Sequence, residues 1–321
     1  MNNREPVFGN EPVLSYYPLI KNNDVNLLRI NLLKTIKAHT KCVNTMKFLA
    51  DGRLASCSND ETIKIYDIKN DYKVDITIPT EQTGGVTSFC QLDNGKIVSC
   101  SKDKSLKIWS ITDKSYKCEL TIPNAQDEEI VFVTGFPKDR MASCSEKKLV
   151  IRYSYSPCET IMTLTDFEYD LNNIFVIKGK DLFVTWCNKI KIWNLNTYTL
   201  EGEIKDVYDS HQNGIIQLDD HRLLLGGGKR MYVVDFIKCE ILQEAQIENY
   251  NVIIVPMLTR DGNMLGMGNH GIFWLYDIKG NVYEAMESEK YYDINSLCML
   301  KIDDHKFITC DKEGSIREWE Y

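Results

Sequence analysis

A chain of 321 residues with a formal charge of −8 and a pI near 5.3 lacks the basic track needed to neutralise a phosphate backbone, so nucleic acid is not an expected partner. No apolar run approaches the roughly 20 residues that cross a bilayer, and none near Met1 reads as a secretion signal, so a soluble protein without membrane association is expected. Eleven cysteines with no CxxC pair and no N-x-S/T acceptor point to a reducing compartment, the cytoplasm or alternatively the nucleus.

Residues 1 to 24, with Pro6, Pro12, Pro18, Tyr16 and Tyr17, carry no repeating pattern and read as an N-terminal arm or linker ahead of one domain over 25–321. Leu32 to Ile36 then stands as an apolar strand without a partner nearby in sequence. Val43 to Phe48 alternates with period two, Asp51-Gly52 turns the chain, and Leu54 to Ser58 forms the next strand. Asn59-Asp60 makes a tight hairpin into Thr62 to Asp67, with Val74 to Ile78 as an outer fourth strand. Six more segments end on the same signature. The anchors are Tyr66, Trp109, Tyr153, Trp193, Val234, Tyr276 and Trp319, spaced 43, 44, 40, 41, 42 and 43 residues apart. That period supplies four short strands, one blade of a propeller, and turns a length typical of two domains into a single ring. The seventh repeat lacks an outer strand, and Leu32 to Ile36 is expected to fill it.

The first unit, with Leu54-Ala55-Ser56-Cys57-Ser58-Asn59-Asp60 leading to Ile63-Lys64-Ile65-Tyr66-Asp67, resembles a WD40 repeat, and Ile97 to Asp103 followed by Leu106 to Trp109 is similar. The resemblance covers about residues 32 to 321, is close in units one, two and seven, and is weakest around Val234-Asp235. It implies an all-β, seven-bladed propeller closed by pairing an N-terminal strand with the last blade. It also implies a non-catalytic protein-interaction scaffold without cofactor or metal. His39, Ser56, Asp60 and Tyr66 match the family's buried network, although the same residue types could also be read as a hydrolase triad. Unit two keeps Ser99, Asp103 and Trp109 but has no histidine near Gln82, and units three to six lose more, which is expected to cost stability locally.

Other motifs point less far. Gly226 to Arg230 has the wrong spacing for a P-loop and falls at a hairpin turn. His211, His221, His270 and His305 lie in separate repeats without a cysteine partner, so no zinc site is expected. Trp186 stands where other units place Ser58 or Ser101, either filling space or offering a stacking surface near the channel mouth. Cys57, Cys100, Cys144 and Cys310 share one repeat position and read as small packing residues.

Charge placement carries the functional reading. The loops from each outer strand to the next inner strand share one face, the top, with the second-to-third strand turns. There, nineteen acids meet twelve bases, a balance of −7 out of −8 for the whole chain. First-to-second strand loops on the opposite face are balanced. An acidic top interleaved with Phe167, Tyr169, Tyr208, Tyr250, Tyr291 and Tyr292 suits a partner protein segment bearing Lys or Arg. The expected contacts are Asp127, Glu128, Glu129, Glu168, Tyr169, Asp170, Tyr291, Tyr292 and Asp293. By resemblance, peptide-binding positions ring the channel mouth at Cys42, Asn44, Asn59, Gly85, Thr87, Lys102, Glu129, Val131, Glu146, Asp170, Asn172, Asp293, Asn295 and Lys312. The alternatives are a substrate-recognition subunit of a ubiquitin ligase or other enzyme complex, or a propeller enzyme with a site in the central channel. Against them, the Trp-Asp-x-Arg of ligase docking is replaced by Tyr66-Asp67-Ile68-Lys69, and inner strands offer Val, Ile, Asn and Cys rather than acid–base groups.

Overall fold

A computed structural model describes residues 30–165, 167–171, 173–187, 189–207, 214–227, 230–246, 254–259, 264–267, 273–276, 282–285 and 296–321. The expected N-terminal arm lies outside the described residues. Among the described residues no helix is long and apolar enough to cross a membrane.

The strands form seven four-stranded antiparallel sheets. Blade 1 contains β2 (Val43–Phe48), β3 (Leu54–Ser58), β4 (Thr62–Asp67) and β5 (Lys73–Pro79), and blade 2 contains β6 (Val86–Gln91), β7 (Ile97–Ser101), β8 (Leu106–Ile111) and β9 (Tyr116–Ile122). Blade 3 runs through β10 (Phe132–Phe136), β11 (Arg140–Ser145), β12 (Lys148–Tyr153) and β13 (Thr160–Leu164), and blade 4 through β14 (Asn173–Val176), β15 (Leu182–Trp186), β16 (Ile190–Asn194) and β17 (Leu200–Ile204). Blade 5 comprises β18 (Gly214–Gln217), β19 (Arg222–Gly227), β20 (Arg230–Asp235) and β21 (Glu240–Gln246), and blade 6 comprises β22 (Ile254–Leu258), β23 (Met264–Met267), β24 (Phe273–Tyr276) and β25 (Val282–Ala285). Blade 7 takes β26 (Ser296–Lys301), β27 (Lys306–Asp311) and β28 (Ser315–Glu320), with β1 (Asn31–Lys37) as its fourth strand.

Second strands are buried on both faces, which is why Leu54 to Ser58 and Ile97 to Ser101 read as continuous small and apolar runs rather than alternating ones. Cys57, Cys100, Cys144 and Cys310 are all fully buried there. Inner strands of successive blades lie side by side from β2 through β6 and β10 to β14, and from β18 through β22 and β26 back to β2. Blades 4 and 5 join through a shared core in which Ile177, Val184 and Trp186 meet Leu223, Leu225 and Tyr232. Trp186 is therefore core, fully buried, and offers no stacking surface.

Closure follows the expected pairing. β1 runs antiparallel beside β28, with Leu32 opposite Trp319 and Ile36 opposite Ile316. The chain then enters blade 1 over the last hairpin, where the Ala38 and His39 amides donate to Gly314 O at 3.1 and 2.8 Å. Gly314 has φ +83°, and a Cβ there would fall 2.7 Å from Lys41 O and against His39 O, so a side chain is excluded at this crossing.

Two kinds of bulge recur among the blades, one in the third strand and one in the inner strand. One precedes the anchor on the third strand, at Ile65/Tyr66, Ile108/Trp109, Ile192/Trp193 and Val233/Val234. In blade 3 it lies between Ile151 and Arg152, and Met141 faces Arg152 as Leu54 faces Tyr66. Arg152, not Tyr153, thus occupies the anchor position of the third repeat. Its guanidinium donates to Ala125 O, and burial draws its pKa down. Tyr153 is left half-buried against Tyr155, ring centroids 5.0 Å apart.

Candidate functional site

The top face is braced from beneath by a polar group in each of the first blades. In blade 1, His39 Nδ1 lies 2.9 Å from Asp60 Oδ2, His39 Nε2 lies 2.7 Å from Ser56 Oγ, and Ser56 Oγ lies 3.3 Å from the Tyr66 hydroxyl. With Nδ1–H donated to the carboxylate, Nε2 is left to face the serine. Burial alone would raise Asp60, yet hydrogen bonds from His39 and Thr62 outweigh it and hold the carboxyl well below its usual range. Burial pushes the Tyr66 phenol up. Ser56 is fully buried and His39 is 2% exposed, so the serine of this would-be triad is closed to substrate and the group holds strands together.

In blades 2 and 3 the expected erosion of this network is offset by two glutamines. Gln82 Nε2 donates to Ser105 Oγ at 3.0 Å while its Oε1 accepts from Ser99, whose Oγ in turn accepts from Trp109 Nε1 at 2.9 Å. In blade 3, Gln126 Nε2 donates to Ser143 Oγ at 2.9 Å and Oε1 accepts from Ser145 at 2.6 Å. An amide presents both a donor and an acceptor, so it replaces neutral imidazole in the same place. The signal was in the spacing: His39–Ser56, Gln82–Ser99 and Gln126–Ser143 are each 17 residues apart. Gln82→Ala is expected to cost about 2 kcal/mol by stranding two buried hydroxyls, with Gln82→His recovering more than half, read from urea midpoints.

At the channel mouth a second bulge frees Asn44 in β2 and Thr87 in β6. Asn44 Nδ2 donates to Val86 O at 2.8 Å, and Thr87 Oγ1 to Ile130 O at 2.6 Å. The Cys144 thiol donates to Leu171 O at 3.6 Å and Cys310 to Val43 O at 3.4 Å. Each bond runs from one blade to a residue at the start of, or two residues before, the inner strand of the next. Asn44 and Thr87 are thus largely committed to the ring; Asn44 Nδ2 also donates to Asn59 Oδ1 at 2.8 Å, and the half-buried Cys42 thiol donates to Asn44 Oδ1 at 3.4 Å. Gly85 is buried where a Cβ would approach Asn59 Cα to 2.6 Å. Lys102, Glu129, Glu146, Asp170 and Lys312 are exposed, as is Val131 at 39%. Asn172 and Asn295 lie outside the described residues.

Of the expected contacts, Asp127, Glu128, Glu129, Glu168, Tyr169 and Asp170 are all exposed on the top of blades 3 and 4. Tyr291, Tyr292 and Asp293 fall outside the described residues, as do Tyr208 and Tyr250. Phe167 is not a surface aromatic: it is 6% exposed, packs on Trp193 with centroids 5.9 Å apart, and lies under the Lys191 ammonium. Two of the carboxylates have intramolecular cations. Asp127 Oδ2 is 2.6 Å from Lys148 Nζ, whose hydrogen bond lowers the aspartate pKa, and Glu168 Oε1 is 3.0 Å from Lys189 Nζ. Among the described residues, Glu128, Glu129, Glu146 and Asp170 form no ion pair.

Three of these unpaired acids sit around one point. Val131 N donates to Cys144 O at 3.0 Å, Cys144 Sγ reaches Leu171 O, and Leu171 N donates to Glu146 O. Glu129, two residues before Val131, Glu146, two after Cys144, and Asp170, one before Leu171, therefore rise from a single knot of backbone at the junction of blades 3 and 4. Elsewhere, Asp219, Asp220 and His221 bring ligand-type atoms within 4.8 Å of one another, but Asp219 already holds Arg222 Nε at 2.6 Å and two backbone amides of its own turn.

Seven sheets, an N-terminal strand sealing the last of them, and a polar brace repeated at fixed spacing define a repeat-built β-propeller. A family model, WD domain, G-beta repeat, matches residues 30–67 and 75–110, so the propeller carries WD40 repeats over those residues. No curated protein matches the chain. WD40 propellers generally bind other proteins and are typically non-enzymatic.

Proposed function

We propose that the protein is a non-catalytic scaffold that takes a Lys- or Arg-bearing segment of a partner protein on the top of blades 3 and 4. It acts in a reducing compartment such as the cytoplasm. The observation that carries this reading is the convergence of Glu129, Glu146 and Asp170, none of which has an ion pair among the described residues, beside Tyr169 at 54% exposure and Val131 at 39%. Carboxylates without their own lysines present uncompensated charge, which speeds encounter with a basic segment. The exposed ring and isopropyl group then give it area to pack on. Asp127 and Glu168, paired with Lys148 and Lys189, contribute less because a partner must first displace those lysines.

The test is fluorescence anisotropy with a labelled Lys/Arg-rich peptide and an acidic control at two salt concentrations. The reading expects the basic peptide alone to bind, to weaken as salt rises, and to lose at least about tenfold in affinity with Glu129→Lys, Glu146→Lys and Asp170→Lys combined. Equal binding by wild type and the triple variant would remove this face from consideration.

A further inference from the structure

In the closing blade, Cys298 of β26 stands directly opposite Cys310 of β27 across the antiparallel ladder. Directly opposed residues in such a ladder have Cα atoms about 4.5–5.5 Å apart and side chains on the same face, inside the roughly 4.4–6.8 Å span that a disulfide bridges. Both thiols face blade 1: Cys298 Sγ reaches Met46 O at 3.7 Å and Cys310 Sγ reaches Val43 O at 3.4 Å. Cys298 is half-buried and Cys310 is fully buried, so Cys298 is the nearer of the two thiols to solvent. We propose that Cys298 and Cys310 form a peroxide-sensitive dithiol that oxidises to a cross-strand disulfide within blade 7.

The environment favours Cys298 as the attacking group. The neighbouring Cys310 thiol draws the Cys298 pKa down, against the upward pull of burial, and the Lys47 ammonium adds a smaller downward pull. Lys47 projects from β2 toward blades 2 and 3, over the Phe132 ring at 5.2 Å and the Phe89 ring at 5.9 Å, and acts on Cys298 only through its charge. Burial, and then the hydrogen bond with Cys298, push Cys310 well up, so it waits as the protonated partner. The other cysteines of the same repeat position have no such neighbour: burial pushes Cys57 and Cys144 up, and Cys100 to about 12. They are inert by comparison.

The chemistry balances in two steps. The Cys298 thiolate attacks one oxygen of a hydroperoxide, the O–O bond breaks, and sulfenic acid forms with release of hydroxide or alkoxide. Cys310 then attacks the sulfenic sulfur, its proton leaves with the hydroxyl as water, and the S–S bond closes. Overall two thiols are oxidised and one peroxide is reduced. The disulfide bolts β26 to β27 and removes both thiol donors that face Val43 O and Met46 O, loosening the seam between blades 7 and 1.

The experiment uses the full chain with Cys118→Ser, which removes the exposed thiol of β9. After hydrogen peroxide treatment, remaining thiols are alkylated under denaturing conditions and mapped by mass spectrometry. The expected result is loss of two alkylation sites, a peptide linking residues 298 and 310, reversal by dithiothreitol, and no link in Cys298→Ser or Cys310→Ser. In Cys310→Ser the Cys298 sulfenic acid should persist and react with dimedone. Full alkylation of both residues after treatment, or a link from Cys298 to Cys42 or Cys57 instead, would overturn the proposal.

Discussion

Trp319→Ala is expected to be among the most damaging single substitutions in the chain, more so than Trp193→Ala, although the two tryptophans have near-identical surroundings. Trp193 Nε1 donates to Thr185 Oγ1 at 2.9 Å and its ring stacks on Phe183 at 6.2 Å and 13°. Trp319 Nε1 donates to Thr309 Oγ1 at 2.9 Å and stacks on Phe307 at 6.2 Å and 13°. Each truncation empties a core site and strands a buried hydroxyl, about 3–5 kcal/mol from a fold whose whole margin is about 5–15 kcal/mol. Trp193 sits in a blade made from consecutive strands. Trp319 faces Leu32 across the one sheet whose strands come from both ends of the ring, and it also meets Phe273 of blade 6 edge-on at 5.0 Å. Losing it therefore also releases β1. Denaturant unfolding should place Trp319→Ala below Trp193→Ala, while Trp319→Phe, which keeps most of the apolar area, should cost about 1–2 kcal/mol. Equal losses for the two alanine variants would mean that β1 adds nothing to the stability of the ring.

Asp60→Asn should cost about 2–4 kcal/mol at neutral pH and change how stability depends on acid. The carboxylate accepts from His39, from the Thr40 and Thr62 amides and from the Thr62 hydroxyl, with its side chain 8% exposed. Because its folded pKa lies below the unfolded value of 3.8, its contribution is full above that value and fades as pH falls toward the folded pKa. Wild type and variant should thus be furthest apart near pH 7, with the gap starting to narrow below about pH 4 and shrinking steadily as pH falls toward the folded pKa. A gap that stays constant from pH 7 to pH 2.5 in urea titrations would contradict the assignment of that charge to the brace.

How much was legible beforehand follows from what repeats. Strand positions, the period and the sealing role of Leu32 to Ile36 were readable because each repeat must present the same apolar faces. The brace in blades 2 and 3 was hidden because amide and imidazole look unrelated as residue types, although their 17-residue offsets agree. The third anchor was misplaced by one residue because Arg152 and Tyr153 adjoin. A tyrosine is the more natural occupant of an apolar slot, and only the register with Met141 settles it. Phe167 was taken for a surface ring because it lies among acids in a loop, yet it folds inward onto Trp193. Counting charges loop by loop pointed to an acidic top, but lysines one hairpin away, Lys148 and Lys189, claim two of its carboxylates. Sequence distance conceals such pairs.

Amide hydrogen exchange across the full chain tests the closed ring most directly. If residues 31–37 complete blade 7, their amides that face β28 should exchange as slowly as those of 315–320, and Trp319→Ala should release both segments together. Fast exchange throughout 31–37 beside a protected 315–320 would contradict the closure, and with it the single acidic face on which the proposed partner site rests.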